Sequence, residues 1–390
     1  MQRKKTPAKK NKYVISGLAG KDSPGGRSPS QIQRFIQLII IGTLALIGAV
    51  ILIYLLSGIF RDQRRPRQIA AARPEYNIQP FGKDVLVYDG MILSCFDANG
   101  TNRWKYTLGM DAAYRATKTM IAAWSGHQVH VLDRNGDALF NDRMSGPVRF
   151  AQVGESLIAA CVGDETDSVV TVLNHGGILQ DSISFPDLYV FDIGFFSQKE
   201  KLLWVLSLDL NGNAPMTSIS THEPGRLLMG RQELNNQLVY SVYPQDNLLM
   251  LVDTSQIRAY DYKCMLQVTV PPVLVYGWQL SDVRAVGKNT YSLFQYMPQS
   301  NDSLYFSELK VVSNQNAQSL RLLSPCFASA LGDKGVYCFS NSTIFFAPFG
   351  SVTFSSTVLS YQISNFICML DGGRAVLASG NDVFILKLPE

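Results

Sequence analysis

The stretch "VHVLDRNGDALFND", residues 129–142, reads as a strand, a tight polar turn and a return strand, and a near-copy, "LSCFDANGTNRWKY", lies 36 residues earlier at 93–106. A third copy, "VVTVLNHGGILQDS", begins at 169. More degenerate copies begin at 217 ("TSISTHEPGRLLMG"), 257 ("IRAYDYKCMLQVTV"), 309 ("LKVVSNQNAQSLRLL"), 343 ("TIFFAPFGSVTFSS") and 382 ("DVFILKLPE"). Successive starts are 36, 40, 48, 40, 52, 34 and 39 residues apart. One hairpin cannot bury both faces of its sheet, so units of this kind must bury one another. A period near 40 with four strands per unit is the signature of a β-propeller.

Each interval between hairpins must then supply two further strands. "VRFAQVGESLIAACVGD", 148–164, does so, with two apolar runs around the turn "VGES". "NFICMLDGGRAVLASGNDVFILKL", 365–388, shows three strands, and the chain ends before a fourth. A closed ring can take that strand from the other end of the body, and the segment near 67–76 is free to give it, which removes the exposed edges of an open sheet. No stretch after residue 60 has a helical period, so residues 76–390 are expected to form an all-β propeller. Eight hairpins at about 39 residues each favour eight blades, with seven as the alternative.

"FDANGTNRW", 96–104, resembles the repeat of the PQQ-type (quinoprotein-like) propellers, in which a turn that holds an Asp and a Gly is followed by a docking Trp. "VLDRNGDALF", 131–140, is similar, with Phe140 where the Trp would stand. Later copies drop parts of the motif: "LNHGGIL" lacks the Trp and "AYDYKCML" lacks the Gly. The resemblance implies that Trp104 docks between blades and is structural. Quinone-dependent members of that superfamily also need acidic and amide ligands for a divalent cation, a catalytic Asp and stacked Trp. Here the Trp residues are only 104, 124, 204 and 278 and no such cluster stands out, so no cofactor or metal is expected. A basic tail, one anchor and such a propeller also resemble membrane proteins of Gram-positive bacteria.

The net charge of +4 conceals two opposed regions. Residues 1–35 hold nine Lys/Arg against one acid, and 61–75 hold five Arg against two acids, whereas 76–390 hold 21 Lys/Arg against 28 Asp/Glu. An acidic body argues against nucleic acid as a partner. Between the basic segments, "FIQLIIIGTLALIGAVILIYLLSGIF", 35–60, carries no charge. About 20 such residues cross a bilayer, so 35–60 is expected to be a transmembrane helix. The run exceeds the apolar region of a signal peptide, and "LLSGI" at 55–59 has Ile59 where a lipoprotein box needs Cys, so an uncleaved anchor is expected.

Residues 1–34 read as a disordered basic tail, and 61–75, with Pro66 and Pro74, as a juxtamembrane linker and possible closing strand. The larger basic total before the helix places the N-terminus in the cytoplasm and the propeller outside the membrane, although within 20 residues of the helix the count is three before against five after.

Catalytic constellations are absent from the sequence pattern. His127, His130, His175 and His222 are scattered and read as turn or surface residues; the first two, three apart in a strand, face opposite sides. "WSGHQ", 124–128, is not a nucleophile elbow, and "NHGG", 174–177, is a turn rather than a phosphate loop because no helix follows it. Cys95, Cys161, Cys264, Cys326, Cys338 and Cys368 match no zinc spacing, and Cys95 and Cys161 read as core residues. About the turn 332–335, Cys338 should face Ser329 and Cys326 should face Asn341, so a disulfide there needs a bulge. The sequons at Asn99, Asn301 and Asn341 would matter in a eukaryotic secretory protein and are read here as chance.

Two function classes follow. The first is a non-enzymatic, membrane-tethered scaffold that binds a protein or cell-envelope component. The second is a small-ligand sensor or enzyme using the central channel. The channel mouth separates them: clustered carboxylates, His or stacked aromatics favour the second, and small apolar residues the first.

Overall fold

The hairpins form blades because their turns are closed by short-range chemistry. The Asp97 carboxylate accepts the backbone N–H of Asn99 and Thr101 at 2.8 and 3.0 Å. Asp133, Asn174 and Asp261 repeat the arrangement on their own turns. At Cys264 the chain takes the left-handed conformation (φ 58°) that Gly100, Gly136 and Gly177 take in the first three copies, a position that costs a non-glycine residue about 1 kcal/mol.

A computed structural model describes residues 65–390 except 197–200, 212–213, 215, 297–304 and 315, together with 42–43 and 46–49. The described residues form eight antiparallel sheets of four strands each. Blades 1 to 7 span 77–107, 113–143, 148–186, 189–235, 239–274, 278–326 and 328–358, and in each the strands lie side by side in chain order. First strands of neighbouring blades pack on one another and so surround the axis, leaving the fourth strands at the rim. Middle strands such as Asp84–Tyr88 and Gly335–Phe339 are buried along their whole length, which explains their continuous apolar runs. Eight core clusters occupy the gaps between adjacent blades, from Phe81, Leu93 and Ile121 between blades 1 and 2 to Ile69, Val85 and Ile385 between blades 8 and 1.

Blade 8 consists of Asn365–Leu370, Arg374–Ser379 and Asp382–Lys387, with Arg67–Gln68 as its outer strand. The register pairs Arg67 with Ile385 and Gln68 with Phe384. Ile69 N–H donates to the Val383 carbonyl at 2.9 Å, and the Gln68 side chain donates to Asp382 at 2.9 Å. Ile69 (1 % exposed) and Ala72 are core residues, so part of the segment expected as linker belongs to the ring.

Blade 5 departs from expectation. The return strand anticipated over 264–270 is replaced by a single bridge, Tyr260 to Leu266, and the fourth strand is only Val273–Leu274. Pro271 and Pro272 intervene; neither has an N–H to give to a ladder.

The basic tail 1–34 and most of the apolar run 35–60 lie outside the described residues; 42–43 and 46–49 are helical. Among the described residues no helix is long and apolar enough to cross a membrane.

Ile69 fixes closure, and truncating a buried Ile to Ala costs about 2–5 kcal/mol. Ile69→Ala should therefore lower the thermal midpoint of the full chain clearly, and deleting 65–73 should lower it further, while deleting 1–34 leaves it unchanged.

Candidate functional site

One recurring position ties each blade to the next. In blades 1 to 4 a bulge after the turn places Trp104 opposite Cys95, Phe140 opposite Val131, Asp181 opposite Val172 and Gly230 opposite Thr221, so the four are structurally equivalent. Trp104 covers Gly136 in the turn of blade 2, where a Cβ would come within 2.5 Å of the indole, and its Nε1 donates to the Arg134 carbonyl at 3.0 Å. Phe140 covers Gly177 of blade 3 in the same way. The turn glycine is thus needed both for its positive φ, 83° at Gly136, and for its missing side chain. At Gly230 the Lys263 carbonyl of blade 5 takes the side-chain space, and Thr221 Oγ1 donates to the Tyr262 carbonyl at 2.6 Å.

Blade 3 has no aromatic ring at this position. Asp181 instead accepts the Gly225 N–H of blade 4 at 3.0 Å, and the space a ring would fill stays open. The result is a groove of about 700 Å³ between the outer strand of blade 3 (Leu179–Pro186) and the outer half of blade 4. Its inner end is sealed by Phe185, Ile183 and Val205 of the core. Its blade 4 wall is polar: Ser207, Ser218, Ser220 and His222 are all buried there. Arg231 Nε donates to Ser218 Oγ at 3.1 Å, and Arg231 pairs with Glu233 at 3.1 Å.

His222 Nε2 lies 2.9 Å from Ser220 Oγ, and its ring meets Phe185 edge-on at 5.9 Å. Burial lowers its pKa to about 4, with Arg231 acting in the same direction and Asp181 opposing. The ring is therefore neutral at neutral pH and only a weak base towards Ser220.

A second polar cluster closes one end of the axis. Arg115 in blade 2 pairs with Asp192 in blade 4 at 2.9 Å, passing over blade 3. Arg284 of blade 6 holds Asp333 of blade 7 at 2.6 Å and Asp371 of blade 8 at 2.8 Å, and Lys118 of blade 2 reaches Asp371 at 3.0 Å. Gly372 N–H adds a bond to Asp333 at 2.8 Å, and Asp371 N–H one to the Gly82 carbonyl at 2.8 Å. Clustered carboxylates are therefore present at the channel mouth, but Asp192, Asp333 and Asp371 are each paired with a cation. Of the two linings foreseen from the sequence, the carboxylate one is therefore found, but with its carboxylates ion-paired. These residues were missed because single charged residues in strands and turns read as solvated; the only signal was that Arg115, Asp192 and Arg284 fall in first strands and Lys118, Asp333 and Asp371 in the turns that follow first strands.

The histidines need correction. His130 and His222 are buried strand residues, not turn or surface ones, because third strands are covered on both faces. His130 Nδ1 lies 3.2 Å from the Tyr106 hydroxyl, and burial lowers its pKa. His127 and His175 do lie in turns, and His175 Nε2 sits 3.1 Å from the Gly154 carbonyl.

All six cysteines are free thiols. Burial pushes Cys95 and Cys368 up to about 12 and Cys264 to about 11, so these are inert packing groups. Cys338 faces Ser329 as expected, but Cys326 does not face Asn341. It ends the outer strand of blade 6, opposite Phe306; its thiol donates to the Ser324 carbonyl at 3.7 Å, and it shares a core cluster with Cys338 across the blade boundary. Among the described residues no three His, Cys, Asp or Glu side chains are grouped to hold a metal ion. Asn301 lies outside the described residues.

These features define an eight-bladed β-propeller closed by an N-terminal outer strand. No protein-family model matches the sequence, and no curated protein does. Solved structures with a similar fold include BamB from Moraxella catarrhalis, at 9% identity and a TM-score of 0.50 over 83% of this chain and 100% of that one. They also include the Pan2 WD40 domain of Neurospora crassa (9% identity, TM-score 0.45, 83% of this chain and 91% of that one). Kluyveromyces lactis Hsv2p is a third (12%, 0.47, 76% and 99%). At such identities the likeness shows the fold alone.

Gly136→Ala should destabilise the protein by more than about 1 kcal/mol in chemical denaturation, because it adds a clash to an unfavourable φ. His222 sets a pH dependence. Its folded pKa of about 4 lies below the unfolded value of about 6.5. The unfolded chain therefore binds the proton more tightly, and the stability of the neutral buried ring is full above about pH 6.5 and lost as pH falls towards 4. The melting temperature should drop by more between pH 7 and 4.5 in the natural protein than in His222→Gln.

Proposed function

We propose that the protein is a membrane-tethered, extracytoplasmic propeller that acts without catalysis as a scaffold for a protein or another cell-envelope component. The observation that carries this reading is the channel mouth, where Asp192, Asp333 and Asp371 are taken up by Arg115, Arg284 and Lys118, in pairs that, apart from Arg284–Asp333, join non-adjacent blades. Groups so neutralised brace the ring instead of acting on a substrate. The buried thiols and the weakly basic His222 point the same way. What the ring offers is its rim, including the open groove between blades 3 and 4. The tether rests on the uncharged run 35–60, and the orientation on the larger basic total before it.

Two measurements test this. Protease added to intact spheroplasts should degrade residues 65–390; protection of the body with loss of the tail would reverse the orientation. Crosslinking in native membranes should recover a defined partner with the full chain and none with an anchor-only fragment, and turnover of a small molecule that is abolished by Arg284→Ala would favour the channel enzyme instead.

A further inference from the structure

We infer that the groove between blades 3 and 4 receives an extended basic segment of a partner protein, which adds as a fifth strand to the free edge of blade 3. The inference rests on the scaffold reading above and assigns the contact through which it works.

Space comes first. A cavity of about 700 Å³ lies within the range of sites that enclose a ligand. It exists here because Asp181 stands where Trp104 and Phe140 fill the equivalent space between earlier blades. The second element is the edge. Leu179–Pro186 is the last strand of its sheet, and its eight residues extend over about 26 Å. An unpaired edge presents backbone donors and acceptors to any chain that lies beside it. Residues 181–188 line the groove without a break, so edge and cavity coincide. A strand added there would turn alternate side chains towards Ser207, Ser218 and Ser220 of blade 4.

Charge selects the occupant. Arg226 and Arg231 are already paired with Glu223 and Glu233. Asp181, Asp187 and Asp209, which also line the groove, have no ion-pair partner among the described residues. Lys or Arg side chains on the incoming strand meet these three carboxylates. A sugar is disfavoured because Phe185 is covered by His222 and offers no open aromatic face.

The test uses the full chain in detergent micelles and fluorescence anisotropy. The probe is a labelled octapeptide alternating Lys with Val or Thr, compared with its Glu counterpart, with an analogue N-methylated at alternate residues, and with a chito-oligosaccharide. The Lys peptide should bind with a Kd of about 10–100 μM, weakening as salt is raised. The N-methylated and Glu peptides should bind at least about tenfold more weakly, since one loses the edge hydrogen bonds and the other the charge match.

Asp181→Trp, which puts a ring at the docking position, should weaken binding at least about tenfold in a chain that still folds. Asp187→Asn with Asp209→Asn should weaken it about threefold or more and flatten the salt dependence. Equal binding of the N-methylated peptide, full binding by a folded Asp181→Trp variant, or binding of the sugar but not the peptide would each overturn the inference. If Asp181→Trp does not fold, the N-methylated peptide on the natural chain still decides. Membrane crosslinking separates the two readings: a partner captured equally by Asp181→Trp removes the groove but leaves the scaffold, and no partner with either chain removes the scaffold.

Discussion

A blade of this protein cannot be stable alone, because its middle strands are apolar on both faces. Val85, Leu86 and Val87 are consecutive and all buried, and each needs a neighbouring sheet on its own side. Only a ring gives every sheet two neighbours, and only a closed ring gives them to the first and last sheets. Closure therefore supports everything else, and it depends on a short segment. Two residues pair with the last blade, and Ile69 and Ala72 lock the pair into the cluster that also holds Val383 and Ile385.

Within that ring the blades are joined by chemistry that changes from one interface to the next. Between blades 1 and 2 it is an indole on a glycine, reinforced by Asp84, whose carboxylate holds both Arg103 of its own blade and Arg134 of the next at 3.0 Å. Between blades 4 and 5 it is a threonine hydroxyl on a carbonyl. At the interface between blades 3 and 4 it is a single carboxylate on a backbone N–H, which holds the blades in place but leaves the outer space unfilled. Degeneration of the repeat is therefore not uniform loss. Where the aromatic is replaced by a smaller polar group, the same architecture yields a groove, and the buried groups on its blade 4 wall, Ser207, Ser218, Ser220 and His222, are uncharged at neutral pH.

Much of this was legible because the signals are local. Asp97 and Asp133 bond to backbone groups two and four positions on, so the turn is written in a few adjacent letters. The docking role of Trp104 could also be read from its place after the turn. The pairs at the channel mouth could not: Arg115 and Asp192 are 77 positions apart, and Arg284 and Asp371 are 87 apart. Nor could the burial of His130 and His222, since a histidine in an alternating strand looks like a surface residue until the neighbouring blade is in place. Cys326 was misplaced for a related reason, being assigned to blade 7 when it ends the outer strand of blade 6.

The sequence by itself determined the unit and its repetition: apolar runs too continuous for a one-faced sheet, turns closed by Asp or Asn, a period near 40 residues, and a last unit short of one strand. It could do so because these are contacts between residues close along the chain or demands that any neighbour would satisfy. Only the tertiary structure decided which neighbour meets which face. That choice left Asp181 beside an open groove, bridged blades 2 and 4 through Arg115, and brought Cys326 to Cys338 across a boundary. Such contacts arise from the curvature of the closed ring, a property of all eight blades together that no single repeat carries.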